Sequence, residues 1–152
     1  MNKMPTAILR FSISVNASQL EVFNYLADWE KQSEWIMFTD VKKISPSQNT
    51  KGTELLATTK LGVVNLKDTM IVTEWSPPIS ITVEHTGRVI LGKGIFTVQE
   101  TSPGNCDFIW EEITPVPYGI LGQIGFRVAK PFIKMMFNKS LRNLKKNMEF
   151  KS

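Results

Sequence analysis

The stretch VVNLKDTMIVTEWSPPISITVEHTG, residues 63 to 87, decides the fold. Val64, Leu66, Asp68, Met70 and Val72 fall on one face of a period-two pattern. Beyond the SPP turn, Ile79, Ile81, Val83 and His85 share a face while Ser80, Thr82 and Glu84 point the other way. Two alternating runs divided by a turn signal read as two strands of a hairpin. Outward from this pair the same period holds from residue 40 for roughly seventy residues. It predicts strands at 41–45, 53–60, 63–75, 79–86, 89–101 and 106–114, separated by SPSQNTKG, LG, SPP, TG and SPGN. Six successive strands joined by connections this short form an antiparallel meander, because parallel pairing needs long crossovers.

The flanks have a different period. Residues 8–15 alternate, with Phe11, Ile13 and Val15 opposite Arg10, Ser12 and Ser14, which predicts one more half-buried strand. Ser18 with Glu21 forms a capping box, and Leu20, Phe23, Leu26 and Ala27 supply the apolar stripe of a short helix. A second short helix over 30–37 presents Trp35 and Ile36. After Pro115 and Pro117 the pattern turns helical to about residue 150. Such a helix is roughly 50 Å long, against a diameter of about 38 Å for a domain of this size. Part of it is expected to bend or loosen. Gly119, Gly122, Gly125 and Pro131 mark where, since glycine costs about 1 kcal/mol and proline about 3 in a helix interior.

The totals narrow the function classes. A chain of 152 residues, 42% hydrophobic and 21% charged, is expected to fold as one domain spanning 1–152. Its net charge of +4 sits largely in the last helix, on Lys130, Lys134, Lys139, Arg142, Lys145 and Lys146, where cations suit the helix C-terminus; no nucleic-acid partner is expected. Cys106 is the single cysteine, so no intrachain disulfide forms, and the N-terminus does not read as a signal peptide. Residues 118–137 are apolar enough to suggest a membrane span, but Arg127, Lys130 and Lys134 oppose insertion by roughly 2.5 to 3.5 kcal/mol each. A cytoplasmic location without stable membrane insertion is expected, transient membrane contact being left open. One histidine and one cysteine argue against a metal site of the usual nitrogen and sulfur ligands. No P-loop, GxGxxG or GxSxG motif occurs, and no cofactor is expected.

The order strand, two short helices, six-stranded meander and long C-terminal helix resembles the START-like helix-grip superfamily (SRPBCC). SVNASQLEVFNYLADWEKQSEW is similar to its first strand end and paired helices, TEWSPPISITVE to its strand-turn-strand with a double proline, and SLRNLKKNMEF to the end of its grip helix. The nearest branch is the polyketide cyclase/dehydrase-like group. The resemblance implies an α+β fold: a curved seven-stranded antiparallel sheet around a long C-terminal helix, with two short helices after strand 1. It also implies a cavity for apolar or amphipathic ligands. Members include lipid carriers, quinone-binding proteins and aromatase/cyclases, so the fold narrows the ligand type without naming a reaction.

Within such a cavity, parity selects the lining. Leu66 and Met70 share the face of Asp68, and Ile81 and Val83 share that of His85. On 106–114, Phe108, Trp110 and Glu112 lie together; the opposite set, with Ile109 and Ile113, is an equally apolar choice for the buried side. Trp35, Trp75, Trp110 and Phe96 offer flat surfaces or ordinary core, and the helix rhythm adds Ile124 and Val128 to the expected ligand contacts. Asp68, His85 and Glu112 thus fall together on inward faces, where unpaired charge is expensive and shifted pKa values are expected. They either orient a ligand and carry acid/base chemistry or sit at strand ends, reaching water or Arg88.

Two functions follow. One is binding or transport of a hydrophobic small molecule such as a lipid, isoprenoid quinone or polycyclic aromatic. The other is a polyketide aromatase/cyclase or dehydratase-like enzyme, with His85 or Glu112 as general base and the other as acid. A third, less specific reading is a protein-binding module using the basic helix. In the first two, the glycine-broken start of the last helix serves as a gate at the cavity mouth, or else simply allows close helix-to-sheet contact.

Overall fold

The computed structural model describes residues 6–45, 50–88, 90–116 and 119–150. Strand β1 (Thr6–Val15) is followed by helix α1 (Gln19–Ala27) and a 3₁₀ helix (Trp29–Glu34). Strands β2 (Thr39–Lys43), β3 (Glu54–Leu61), β4 (Val64–Ser76), β5 (Ser80–His85), β6 (Lys93–Ser102) and β7 (Asn105–Pro115) then lead to helix α2 (Gly119–Glu149). All strand pairs are antiparallel in the order β1-β7-β6-β5-β4-β3-β2. The meander read from alternation is present. The return of β1 to pair with β7 is a long-range contact that local pattern does not carry.

Several local details depart from the sequence reading. Ser18 caps α1, its hydroxyl accepting from the Glu21 amide at 3.2 Å, but Leu20 faces solvent and the buried side is Val22, Phe23, Tyr25, Leu26 and Ala27. The second helix is the shorter 3₁₀ turn, and Trp35 follows it. Ile79 sits exposed in the turn rather than in β5, and β6 starts at Lys93; Val89 lies outside the described residues. A bulge between Val72 and Glu74 slips the register, so that Val72 pairs with Val83 but Trp75 pairs with Ile81. An extra residue in one strand reverses parity beyond it. Trp75 is thereby turned into the core, where it meets Phe23 edge-on at 5.2 Å.

Cross-strand rows organise the inward face. Trp75, Ile81, Phe96, Trp110 and Phe11 form one row, and Val72, Val83, Gly94, Glu112 and Leu9 the next. The aromatic part is densely packed. Trp35 is fully buried, with ring centroids 6.0 Å from Phe96, 5.8 Å from Phe108 and 5.6 Å from Trp110.

Helix α2 runs unbroken through Pro131 for 31 residues. Phe137 lies over Trp110 at 4.3 Å and stacks on Phe11 at 4.7 Å, and beyond it Ser140, Leu141 and Leu144 are buried. The expected loosening near the glycines takes the form of thin packing rather than a break in the helix: Ile120, Leu121 and Val128 are 75–80% exposed.

Candidate functional site

Between the inward sheet face and α2 lies a cavity of about 500 Å³, within the roughly 300–1,000 Å³ range of small-molecule sites. Of the residues expected to line it, Leu66, Met70, Ile81, Val83, His85, Phe96 and Trp110 do so, together with Asp68 and Glu112. Trp35 and Phe108 are corrected. They lie on the inward side but are sealed in the aromatic core behind Phe96 and Trp110, with no exposed surface left for a ligand. Ile124 and Val128 are corrected too, since they face outward at 54% and 75% exposure. The helix instead presents Phe126, Ala129, Ile133, Met136 and Ser140 to the cavity, a stripe at steps of three and four. Because α2 is apolar on its outer side as well, periodicity alone could not select between the two faces.

At the wall, three ionisable side chains converge on the imidazole. His85 Nδ1 lies 3.0 and 2.8 Å from the two Asp68 carboxylate oxygens, and Nε2 lies 3.1 Å from Glu112 Oε2. The other Glu112 oxygen accepts from the Trp110 indole N–H at 3.0 Å. The His85 and Asp68 side chains are 4% and 8% exposed, and Glu112 is 17% exposed. Burial alone would push the imidazole pKa down. The hydrogen bonds and negative charges of Asp68 and Glu112 outweigh it and raise the pKa to about 9. At neutral pH His85 is an imidazolium held between two carboxylates, with both ring N–H groups donating. Arg88 is exposed and is not part of this arrangement.

One residue that the sequence reading passed over makes the geometry possible. His85 on β5 and Glu112 on β7 are separated by β6, and strands two apart are about 9.5 Å from each other. The β6 residue between them is Gly94, paired with both Val83 and Glu112. A Cβ there would come 2.8 Å from Glu112 Oε1. Its missing side chain is the gap through which the two ionised groups meet. The signal was present, since glycine inside a strand marks a close approach, but LGKG reads first as a turn. Gly92 needs glycine as well: its φ is +92° and a Cβ would meet the Ile113 carbonyl oxygen.

A curved antiparallel sheet gripping a long helix over an apolar cavity defines a helix-grip fold. Residues 6–149 match the family model "Polyketide cyclase / dehydrase and lipid transport", and the chain belongs to that family. No curated protein sequence matches it. Among solved structures it is similar to TTHA0849 from Thermus thermophilus, with a TM-score of 0.79 at 9% identity over 93% of this chain and 97% of that one. It is equally similar to the ZhuI aromatase/cyclase from a Streptomyces species, with a TM-score of 0.79 at 11% identity over 95% and 94% of the two chains. The di-domain ARO/CYC BexL matches with a TM-score of 0.69 at 16% identity, over 97% of this chain and 51% of its own. At these identities the likeness is one of fold. Among the described residues no helix is long and apolar enough to cross a membrane.

Proposed function

We propose that the protein binds and carries a hydrophobic small molecule in the cavity between the sheet and α2. The observation that carries this reading is the cavity of about 500 Å³ with a largely aliphatic and aromatic lining. A volume of this size lies within the range of small-molecule sites, and an apolar ligand entering it would remove that apolar lining from water. Met70 and Met136 in the wall suit a pocket that adapts to more than one shape. Native mass spectrometry of gently purified protein tests the proposal. A retained small molecule, or stoichiometric uptake of an added amphiphile, is expected; an empty protein that takes up none counts against it.

Exchange of such a cargo is supported by the first half of α2. Its outward Ile120, Leu121, Ile124 and Val128 are bordered by Arg127, Lys130 and Lys134, a combination suited to transient contact with an anionic membrane surface. The same thinly packed segment is the part of the cavity wall best placed to act as a gate.

The polar triad favours a second reading, an aromatase/cyclase or dehydratase-like enzyme. In that case a Glu112 carboxylate oxygen is the stronger choice of general base. Both His85 protons are already directed at carboxylates, so His85 would have to break one of those bonds to act as an acid. Turnover of a polyketide-type substrate that survives both His85→Ala and Glu112→Gln would remove this reading.

A further inference from the structure

The polar groups around the cavity divide unevenly between donors and acceptors. Both N–H groups of the His85 imidazolium donate to Asp68 and Glu112, and the Trp110 indole N–H donates to Glu112. The hydroxyls of the wall are committed as well. Thr39 donates to the Met37 carbonyl at 2.9 Å, so in its 3.0 Å contact with Thr59 it is Thr59 that donates. Ser140 donates to the Met136 carbonyl at 2.7 Å and Thr114 to the Pro115 carbonyl at 3.3 Å. The amide of buried Gln32 donates to the Leu26 carbonyl at 3.0 Å, with one amide hydrogen left over. Among the described residues the indole nitrogens of Trp29 and Trp35 have no partner, but both atoms are sealed from any surface.

Acceptors remain in excess. Each carboxylate has about four accepting positions. Among the described residues Asp68 receives one N–H, shared between its oxygens, and Glu112 receives two. Two carboxylates against one imidazolium also leave one surplus negative charge in the wall. A ligand carboxylate would meet that charge with almost no donor to satisfy it, and a ligand with only carbonyl or ether oxygens would find only the spare Gln32 amide hydrogen. A hydroxyl would find charged acceptors in a site largely screened from water, where such hydrogen bonds are strongest.

We infer that this cavity selects its ligand by a hydrogen-bond donor, taking an apolar, ring-sized molecule that carries an alcohol or phenol hydroxyl and rejecting fatty-acid-like carboxylates. The inference rests on the cavity-binding reading above and narrows it. Hydroxylated polycycles and reduced, phenolic forms of quinones fit, whereas the oxidised quinone, which only accepts, does not.

The test uses three fluorescent probes of one shape, hydroxypyrene, methoxypyrene and pyrenecarboxylate, titrated at neutral pH into the unaltered chain. Hydroxypyrene is expected to bind about ten- to a hundredfold more tightly than methoxypyrene, the worth of one hydrogen bond to a charged acceptor. Pyrenecarboxylate is expected to bind most weakly. Replacing an acceptor by an amide in Glu112→Gln should narrow the hydroxyl-to-methoxy ratio and admit the carboxylate. Equal affinity for hydroxypyrene and methoxypyrene, or tightest binding of the carboxylate, overturns the donor inference and leaves the cavity reading standing. Failure of all three to bind overturns both. The probe series needs no variant to fold.

Discussion

Residues 139–149 of α2 bury Leu141 and Leu144 and are tied to other segments by side-chain hydrogen bonds, from Asn143 to the Trp35 carbonyl, Lys145 to the Ser14 carbonyl and Asn147 to the Glu34 carbonyl. Residues 119–135 of the same helix have no fully buried side chain and leave Ile120, Leu121, Ile124, Val128 and Met135 largely in solvent. Most helical stability in proteins comes from packing of one face, so one continuous helix contains an anchored half and a loosely held half. The division falls near Phe137, where the aromatic core ends and the cavity begins. The fold is therefore stabilised at one end of the helix and adaptable at the other.

The largest expected effect separates the halves directly. Leu144→Ala, at a fully buried position, should lower unfolding free energy by about 2–5 kcal/mol in urea titration, whereas Val128→Ala should change it by less than about 0.5. Similar losses at both sites would erase the distinction.

Next comes the triad, which faces the same cavity as the loose half. His85 is raised in the folded protein from 6.5 to about 9. Its contribution is therefore complete below pH 6.5 and is lost as pH rises through about 9. The loss should be on the order of 1–3 kcal/mol and should vanish in His85→Gln. Urea midpoints measured across this window check it; a wild-type curve parallel to the variant's would contradict the imidazolium assignment.

Gly94→Ala should have a smaller effect on stability, about 1 kcal/mol, because the group it displaces is the flexible end of Glu112. It should nevertheless push the His85 pKa down, as followed by imidazole NMR titration, since one of the two carboxylates moves away. An unchanged pKa would mean that the glycine gap does not hold the triad.

The smallest expected stability effect belongs to the outward face. Ile124→Ser with Val128→Ser should leave the unfolding free energy within about 0.5 kcal/mol of wild type, yet reduce co-sedimentation with anionic vesicles. Unchanged sedimentation would remove the membrane-contact proposal while keeping the contrast between halves.

Much of this architecture was legible because alternation and turn residues are local signals. The hairpin of β4 and β5 placed Asp68 and His85 on the inward faces, and parity offered Glu112 beside them. What escaped has identifiable causes. A bulge after Val72 is invisible to a strict period, so the inward turn of Trp75 could not be derived. Parity gave Phe108 its side of the sheet but not its depth behind Phe96 and Trp110. On α2 the step of four through Ile120, Ile124 and Val128 competed with the true stripe of Phe126, Ala129 and Ile133, and only the packed sheet decides between them. Gly94 matters through neighbours that lie near it in space and far from it in the chain.

Hydrogen exchange along α2, with and without a bound hydroxylated amphiphile, reads out the division between its two halves residue by residue. Fast exchange is expected over 119–135, slow exchange over 139–149, and ligand protection confined to the first segment. Uniform protection along the helix, unchanged by ligand, would contradict it.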